Sequence, residues 1–424
     1  MAVFSDLPDE TLERVLDFIV RDRQSLENVS LVNHRFIKIA LPLFVRQWNN
    51  SQEFSEPSIG LFALHLLRHP HLRKQVRTLD LGYVRPFHEH DVDFPDIMPE
   101  SLAALADAAE QDKVLPHDLL ARLCHQIREG CEDAIAVLIL AWSTNLTGLS
   151  ITAPDFYLQY GENFMVLLYF KQAMCQLLET SGGNAHCLPL GQVRHIEFQY
   201  WNRVNSIGLS YAKVFFHLPN IETLTAHEAF DDMDEEIEGD RPPAIVDENY
   251  ALPLPIGGST VKELTITRAG FLKVHSNLDH GIVLGRKELA HAIMKQKGSM
   301  RELDLDIKFD YIVTSNVDPA LAKTYQNLSR LQRLTTSISD LSEVVQSGEE
   351  EDDIKVVLGR IPLSIEVLKP RCCKFLTDWI SHDLLTEPYL EGMQELLEEA
   401  GPRGRFSSLR VLDLSETFMD DHSF

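Results

Sequence analysis

The residues of this sequence that could do chemistry occur in short, isolated groups. His88-Glu89-His90-Asp91 carries metal-ligating side chains, but no third ligand lies near it, so an ordinary surface loop is the favoured interpretation. Cys372 and Cys373 follow Arg371, which could lower a thiol pKa, yet a catalytic cysteine needs a histidine partner that the sequence does not place. The motifs GxSxG, GxxxxGK[ST], GxGxxG and HExxH are absent. We therefore expect no catalytic residues, no metal and no cofactor.

Composition excludes further classes of function. With 39 Lys and Arg against 64 Asp and Glu in 424 residues, the formal charge is −25, which disfavours nucleic acid as a direct partner. The longest apolar run, Ala134 to Trp142, is far shorter than the roughly 20 residues that span a bilayer, so we expect no membrane segment. The N-terminus has no export signal, and the scattered cysteines are expected to be reduced thiols, so we expect a cytoplasmic or nuclear location.

The first fifty residues predict a compact module of short helices. Leu7-Pro8-Asp9-Glu10 is typical of a helix start, and the apolar stripe that follows it consists of Leu12, Val15, Leu16 and Ile19. Ser25 is expected to cap a second helix and Asn33 a third, which Pro42 should end or kink. This module carries more apolar residues than it needs, so it is either a cap packed on the rest of the chain or a docking surface for another protein.

Nine copies of one strand pattern follow. Each has apolar residues at positions i, i+3 and i+5. The middle apolar residues are Leu79, Leu149, Ile196, Leu224, Leu264, Leu303, Leu334, Leu368 and Leu412. The pattern is that of the strand in a leucine-rich repeat, but the spacings of 28 to 70 residues require inserted helices. Helices are expected at 99–110, 116–129, 133–142, 162–179, 286–297, 318–327 and 388–400. The alternative is a mixed α/β domain whose strands share a pattern.

Residues that flank the buried strand positions point to the opposite face of the sheet. Because neighbouring strands lie about 4.8 Å apart, Glu263, Glu302, Asp304 and Asp306 should form a negative patch, and Lys369 and Arg371 a basic spot towards the C-terminal end. One hypothesis is that the patch binds a basic segment of a client protein; the alternative is a hydrated face without a ligand. Residues 228–258, rich in Asp, Glu and Pro, are expected to form an exposed flexible loop.

The N-terminal sequence resembles an F-box. The matching residues are Leu7-Pro8, Glu10, Leu12, Val15, Leu16, Leu26, Ser30-Leu31-Val32, Asn33, Arg35, Phe36, Ala40, Pro42 and Leu43, while Ser25 departs from the usual Asp. Leu66 to Leu81 resembles the segment that follows the F-box in fungal proteins. The resemblance implies an α/β protein with a three-helix F-box at 4–48, a helical linker at 49–71, and an irregular leucine-rich-repeat-like α/β solenoid at 72–424 that binds substrate.

The same resemblance implies a function. Such a chain is a non-catalytic, substrate-receptor subunit of an SCF-type cullin–RING ubiquitin ligase, whose partners are the Skp adaptor, the cullin scaffold and a protein client. The residues implied to bind the adaptor are Leu7, Pro8, Leu12, Val15, Leu16, Leu31, Val32 and Phe36. Two alternatives stay open: a scaffold that targets nothing for degradation, and an enzyme whose site lies in the insertion between Gly82 and Thr144.

Overall fold

The computed structural model describes the chain in separate stretches. These are residues 7–19, 22–50, 59–84, 97–112, 115, 117–153, 164–179, 190–200, 207–208, 215, 218–227, 229–230, 261–267, 290–291, 293–306, 320–346, 352–371 and 387–415. The chain divides into two compact units, one of residues 1–197 with 218–220 and the other of residues 198–217 with 221–424.

Three helices open the first unit: α1 (Asp9–Asp17), α2 (Arg23–Ser30) and α3 (His34–Arg46). Asn33 caps α3 as predicted, because its side chain accepts hydrogen bonds from the backbone N–H groups of the second and third residues of the helix. Ser25 was wrongly predicted to cap α2: the cap is Asp22, which accepts the N–H of Ser25. Pro42 does not end α3, which continues to Arg46.

The principal sheet has ten strands, and every neighbouring pair whose register is described runs parallel. In order across the sheet they are β1 (Gln47–Asn49), β2 (Thr78–Tyr83), β3 (Gly148–Ala153), β4 (His195–Tyr200), β6 (Thr223–His227), β8 (Glu263–Thr267), β9 (Glu302–Asp306), β10 (Arg333–Ser337), β13 (Val367–Arg371) and β14 (Val411–Leu412). All nine predicted strands are present, in chain order. The mixed α/β fold is thereby confirmed.

The edge strand β1 was not predicted. It follows α3 without an intervening residue, and Gln47, Trp48 and Asn49 pair with the first half of β2. The Trp48 ring is buried and stacks on Phe62, with ring centroids 4.5 Å apart. Three residues with one apolar side chain are too short for an alternation to be visible in sequence.

Most of the remaining helices of the first unit lie at predicted segments, but the 3-10 helix was not predicted and extends beyond the helical linker expected at 49–71. They are α4 (Ile59–Arg68), the 3-10 helix Pro70–Gln75, α5 (Pro99–Gln111), α6 (His117–Arg128), α7 (Glu132–Trp142) and α8 (Met165–Glu179). Helix α7 is buried from its second residue to its last, which explains why its sequence is apolar all round rather than striped.

The second unit adds shorter elements. These are β5 (Ile207–Gly208), which pairs with β7 (Ala229–Phe230), then α9 (Ala320–Tyr325), α10 (Ile338–Leu341), the antiparallel hairpin of β11 (Ser342–Gln346) and β12 (Asp352–Val356), and α11 (Glu387–Glu399). Residues 290–291 and 293–295 are helical and lie within the helix predicted at 286–297.

In β10 and β13 the third position of the apolar pattern is a threonine and a proline, and both residues are buried. In β10 the Thr336 hydroxyl donates to a carboxylate oxygen of Asp340 at 3.1 Å, and Tyr325 Oη lies 2.9 Å from the same hydroxyl. Hydrogen bonding therefore substitutes for apolar packing at this point of the sheet. In β13 the inner residue is Pro370.

Several expectations concern residues that the structure does not describe. His88-Glu89-His90-Asp91 and Cys372-Cys373 lie outside the described residues, as does most of the acidic segment 228–258. Within the described part of the chain, no helix is both long enough and apolar enough to cross a membrane.

Candidate interaction surfaces

The first candidate surface belongs to the helical module formed by α1, α2 and α3. Its core contains the buried side chains Leu12, Leu16, Leu26, Phe36, Ala40 and Leu43. The apolar faces of the three helices pack together in this core, because each helix has apolar residues three or four positions apart on its inner face. The module therefore has a hydrophobic core of its own.

Ion pairs fix the helices of the module to one another. Arg35 at the start of α3 bonds the carboxylate of Asp9 and the carbonyl oxygen of Leu7, while Arg46 at the end of α3 reaches Asp17 at 2.6 Å and Glu13 at 3.2 Å. These contacts join both ends of α3 to the segment of α1.

The structure separates the eight predicted adaptor-binding residues into two groups. Leu12, Leu16 and Phe36 lie in the module core, and Leu7 packs partly buried against it. The others are on the surface: Pro8 and Val15 are exposed, and the side chains of Leu31 and Val32 are 82% and 64% exposed. Leu31 and Val32 are consecutive residues in the turn that joins α2 to α3.

Two exposed apolar residues of the module were not predicted as site residues. Phe18, which follows α1, is 89% exposed, and Ile37 in α3 is 41% exposed. Phe18 lies outside the apolar stripe of α1, so it has no position in the core. The sequence alone could therefore have indicated that it is exposed. Phe18 directly precedes Ile19 of the stripe, so it was masked by its neighbour.

The second candidate surface is the polar face of the sheet in the second unit. In register, Glu263 of β8 lies beside Glu302 of β9, which lies beside Arg333 of β10. One step along the strands, Asp304 lies in the same row as Lys369 of β13. The predicted acidic and basic residues therefore share one face of neighbouring strands, with leucines on the other.

Several of these charges pair with one another. Arg371 donates to Asp304 at 2.7 Å, with side chains only 19% and 26% exposed, and Arg333 lies 3.5 Å from Glu302. Lys369 lies 3.7 Å from Asp413, whose pKa is lowered mainly by hydrogen bonds from Ser415 and further by Lys369. Residues of the predicted negative patch and basic spot thus partly neutralise one another. Glu263 is exposed, and for Asp306 only the backbone position is described.

The buried titratable side chains of the first unit have surroundings that indicate a structural role. Cys124 and Cys131 are buried thiols that form no disulfide among the described residues, and burial raises the pKa of both. Asp133 at the start of α7 is buried; one of its oxygens accepts the N–H of Met165, the first residue of α8, at 3.1 Å. Burial raises the pKa of Asp133 to about 7. Among the described residues, no group of three or more His, Cys, Asp or Glu side chains could hold a metal ion.

The chain matches no protein-family model. No curated protein matches it either.

Proposed function

We propose that this chain is a substrate-receptor subunit of an SCF-type cullin–RING ubiquitin ligase, with an F-box as its helical module and a leucine-rich-repeat-like array as its sheet. The observation that carries the proposal is the exposure of Leu31 and Val32, at positions where the sequence resembles an F-box, on a module whose core is already filled. Exposed apolar side chains on a self-sufficient scaffold are typical of a docking surface.

The connection between module and sheet supports this function. Helix α3 runs directly into β1, and the backbone N–H of Arg77, just before β2, donates to the carbonyl of Arg46 at 2.9 Å. A bound adaptor would therefore be coupled to the beginning of the sheet without a flexible linker. The ubiquitin transfer would be catalysed by other subunits, and this chain would contribute proximity by holding the client near them.

The adaptor contact is tested with the double variant Leu31→Ala, Val32→Ala. The wild type and the variant are each co-expressed with a Skp adaptor and analysed by size-exclusion chromatography, then by calorimetry for affinity. We expect a loss of affinity of about tenfold or more, because truncating buried interface anchors costs more than about 1 kcal/mol each. The matched control is Leu363→Ala, which truncates another exposed leucine, in the second unit, and should leave adaptor affinity unchanged.

The variant is chosen so that folding and binding are separable. Leu31 and Val32 contribute little to the module core, whereas truncating Leu12 or Phe36 would unfold the module itself. Unchanged helicity with lost adaptor binding supports the proposal. A wild-type chain that is folded and does not co-elute with the adaptor contradicts it.

Client binding is proposed for the polar face of the sheet in the second unit. A basic client segment would contact Glu263 and compete with Arg371 and Arg333 for the paired acids. Charge reversal at Asp304 is a poor test, because it would leave Arg371 beside a like charge. Glu263→Lys alters an exposed carboxylate instead, and undiminished ubiquitination of every client in that variant would remove Glu263 from the binding surface.

A further inference from the structure

One segment of this strongly acidic chain is basic. No Asp or Glu occurs between Glu56 and Asp80, although the chain carries 64 acidic residues in 424. Within that gap, residues 65–77, called here the basic turn, contain Arg68, Arg73, Lys74 and Arg77 with three histidines. The basic turn comprises the end of α4, the 3-10 helix and the residues leading to β2.

The fold brings the three histidines of the basic turn close to one another. The His65 and His69 ring centroids are 4.8 Å apart, and those of His69 and His71 are 6.0 Å apart. The pKa of His65 is lowered, first by burial and then by the nearby side chains of His69, Arg68 and His71. A lowered pKa disfavours the charged form of His65, so the permanent positive charge of the basic turn lies on its arginine and lysine side chains.

Two cations of the basic turn bond to the chain itself, and one of them is Arg77, whose guanidinium donates to the carbonyl of Asn145 at 3.2 Å. Arg73 lies over the Trp142 ring, 3.6 Å from its centroid, and donates to the carbonyl of Leu66. Arg68 and Lys74 are exposed, and neither pairs with a carboxylate of the described residues. The Asn145 amide donates to the Lys74 carbonyl at 2.9 Å, which fixes the backbone from which that ammonium group projects.

We propose that the basic turn is a docking surface for a carboxylate-rich segment of a partner protein, which would contact Arg68, Lys74 and the histidine cluster. The fixed backbone lowers the entropic cost of ordering this surface. The net charge of −25 repels polyanions at long range, so an acidic peptide binds only where positive charge is locally concentrated. This inference is separate from the adaptor contact, which uses the apolar residues of the helical module.

The probe is a fluorescein-labelled peptide of ten glutamates, titrated with the full chain in 50 mM NaCl and followed by anisotropy. The variant Arg68→Gln, Lys74→Gln should bind about three- to thirtyfold more weakly, the combined effect of two exposed ionic contacts. Lys297→Gln, Arg403→Gln is the matched control, since it removes the same charge from exposed positions of the second unit. Its affinity should stay within about twofold of the wild type.

A charge-preserving variant and a second probe make the result decisive. Arg68→Lys, Lys74→Arg should retain binding, and 300 mM NaCl should weaken binding to the wild type. The proposal is overturned if the peptide does not bind, if the control variant loses as much affinity, or if a ten-nucleotide single-stranded DNA binds as tightly. None of these outcomes depends on whether the adaptor binds.

Discussion

Replacing Asp133 with Asn is expected to make the stability of the first unit less sensitive to pH. In the folded chain burial raises the pKa of this carboxyl to about 7, from 3.8 in the exposed state. The folded state therefore retains a proton that the unfolded state releases, and folding stability falls as pH rises from about 4 to about 7. Each unit of difference between the folded and unfolded pKa corresponds to about 1.4 kcal/mol, so above pH 7 the ionisable carboxyl lowers the free energy of unfolding by about 4 kcal/mol.

Asparagine cannot ionise, so it removes this pH-dependent cost. Its amide oxygen can still accept the N–H of Met165, but its NH2 group replaces an oxygen that makes no hydrogen bond among the described residues. Burying those N–H groups costs about 1 to 3 kcal/mol at every pH. The difference in unfolding free energy, variant minus wild type, should therefore increase by about 2 to 3 kcal/mol from pH 5 to pH 8.

The assay is calorimetric unfolding at pH 5, 6, 7 and 8, with hydrogen exchange of α7 and α8 as the local measurement. Glu100→Gln, which neutralises an exposed carboxylate on α5, is the control and should give a difference that does not vary with pH. A pH-independent difference for Asp133→Asn would refute the reasoning. It would mean that Asp133 is ionised in the folded chain across this range.

Two further predictions concern packing in the second unit. Gly392→Ala should destabilise the chain by about 1 to 3 kcal/mol in chemical denaturation, because its new Cβ would lie 2.7 Å from Val356 Cβ; Gly298→Ala, which has no atom within 4 Å, is the neutral control, and equal effects would show that the close approach is relieved without cost. Thr336→Val should cost about 1 to 2 kcal/mol because it removes the hydroxyl that bonds Asp340, and an unchanged melting midpoint would show that the network contributes nothing.

The sheet could be predicted from sequence because its strands repeat one local signal. Leucines such as Leu264 and Leu303 alternate with polar residues, and this alternation is visible regardless of the length of the segment that follows the strand. The hairpin strand Asp352–Val356 was missed because it begins with two acidic residues that resemble a loop. The cap at Asp22 was missed because Ser25 also fits the preference, and only the geometry shows which side chain accepts the hydrogen bond.

The predicted docking residues of the module could not be divided by sequence alone. An apolar stripe on a helix predicts which residues are buried. It does not show whether a neighbouring helix or another protein buries them. Leu16 and Leu31 are both leucines in an F-box-like pattern, yet the first is in the core and the second is exposed. The distinction depends on how three helices pack, and that packing involves contacts between residues distant in sequence.

The charged face illustrates the same point for electrostatics. The sequence predicted a patch of acids in β8 and β9 and a separate basic spot in β13, because strand order alone does not show how far a long side chain reaches across the sheet. Arg371 nevertheless reaches Asp304 across β10, from 67 residues further along the chain. In a parallel sheet, the charge of a surface is set by register and by side-chain length together. A client that binds here must therefore replace existing ion pairs, so its charge pattern would have to match both signs.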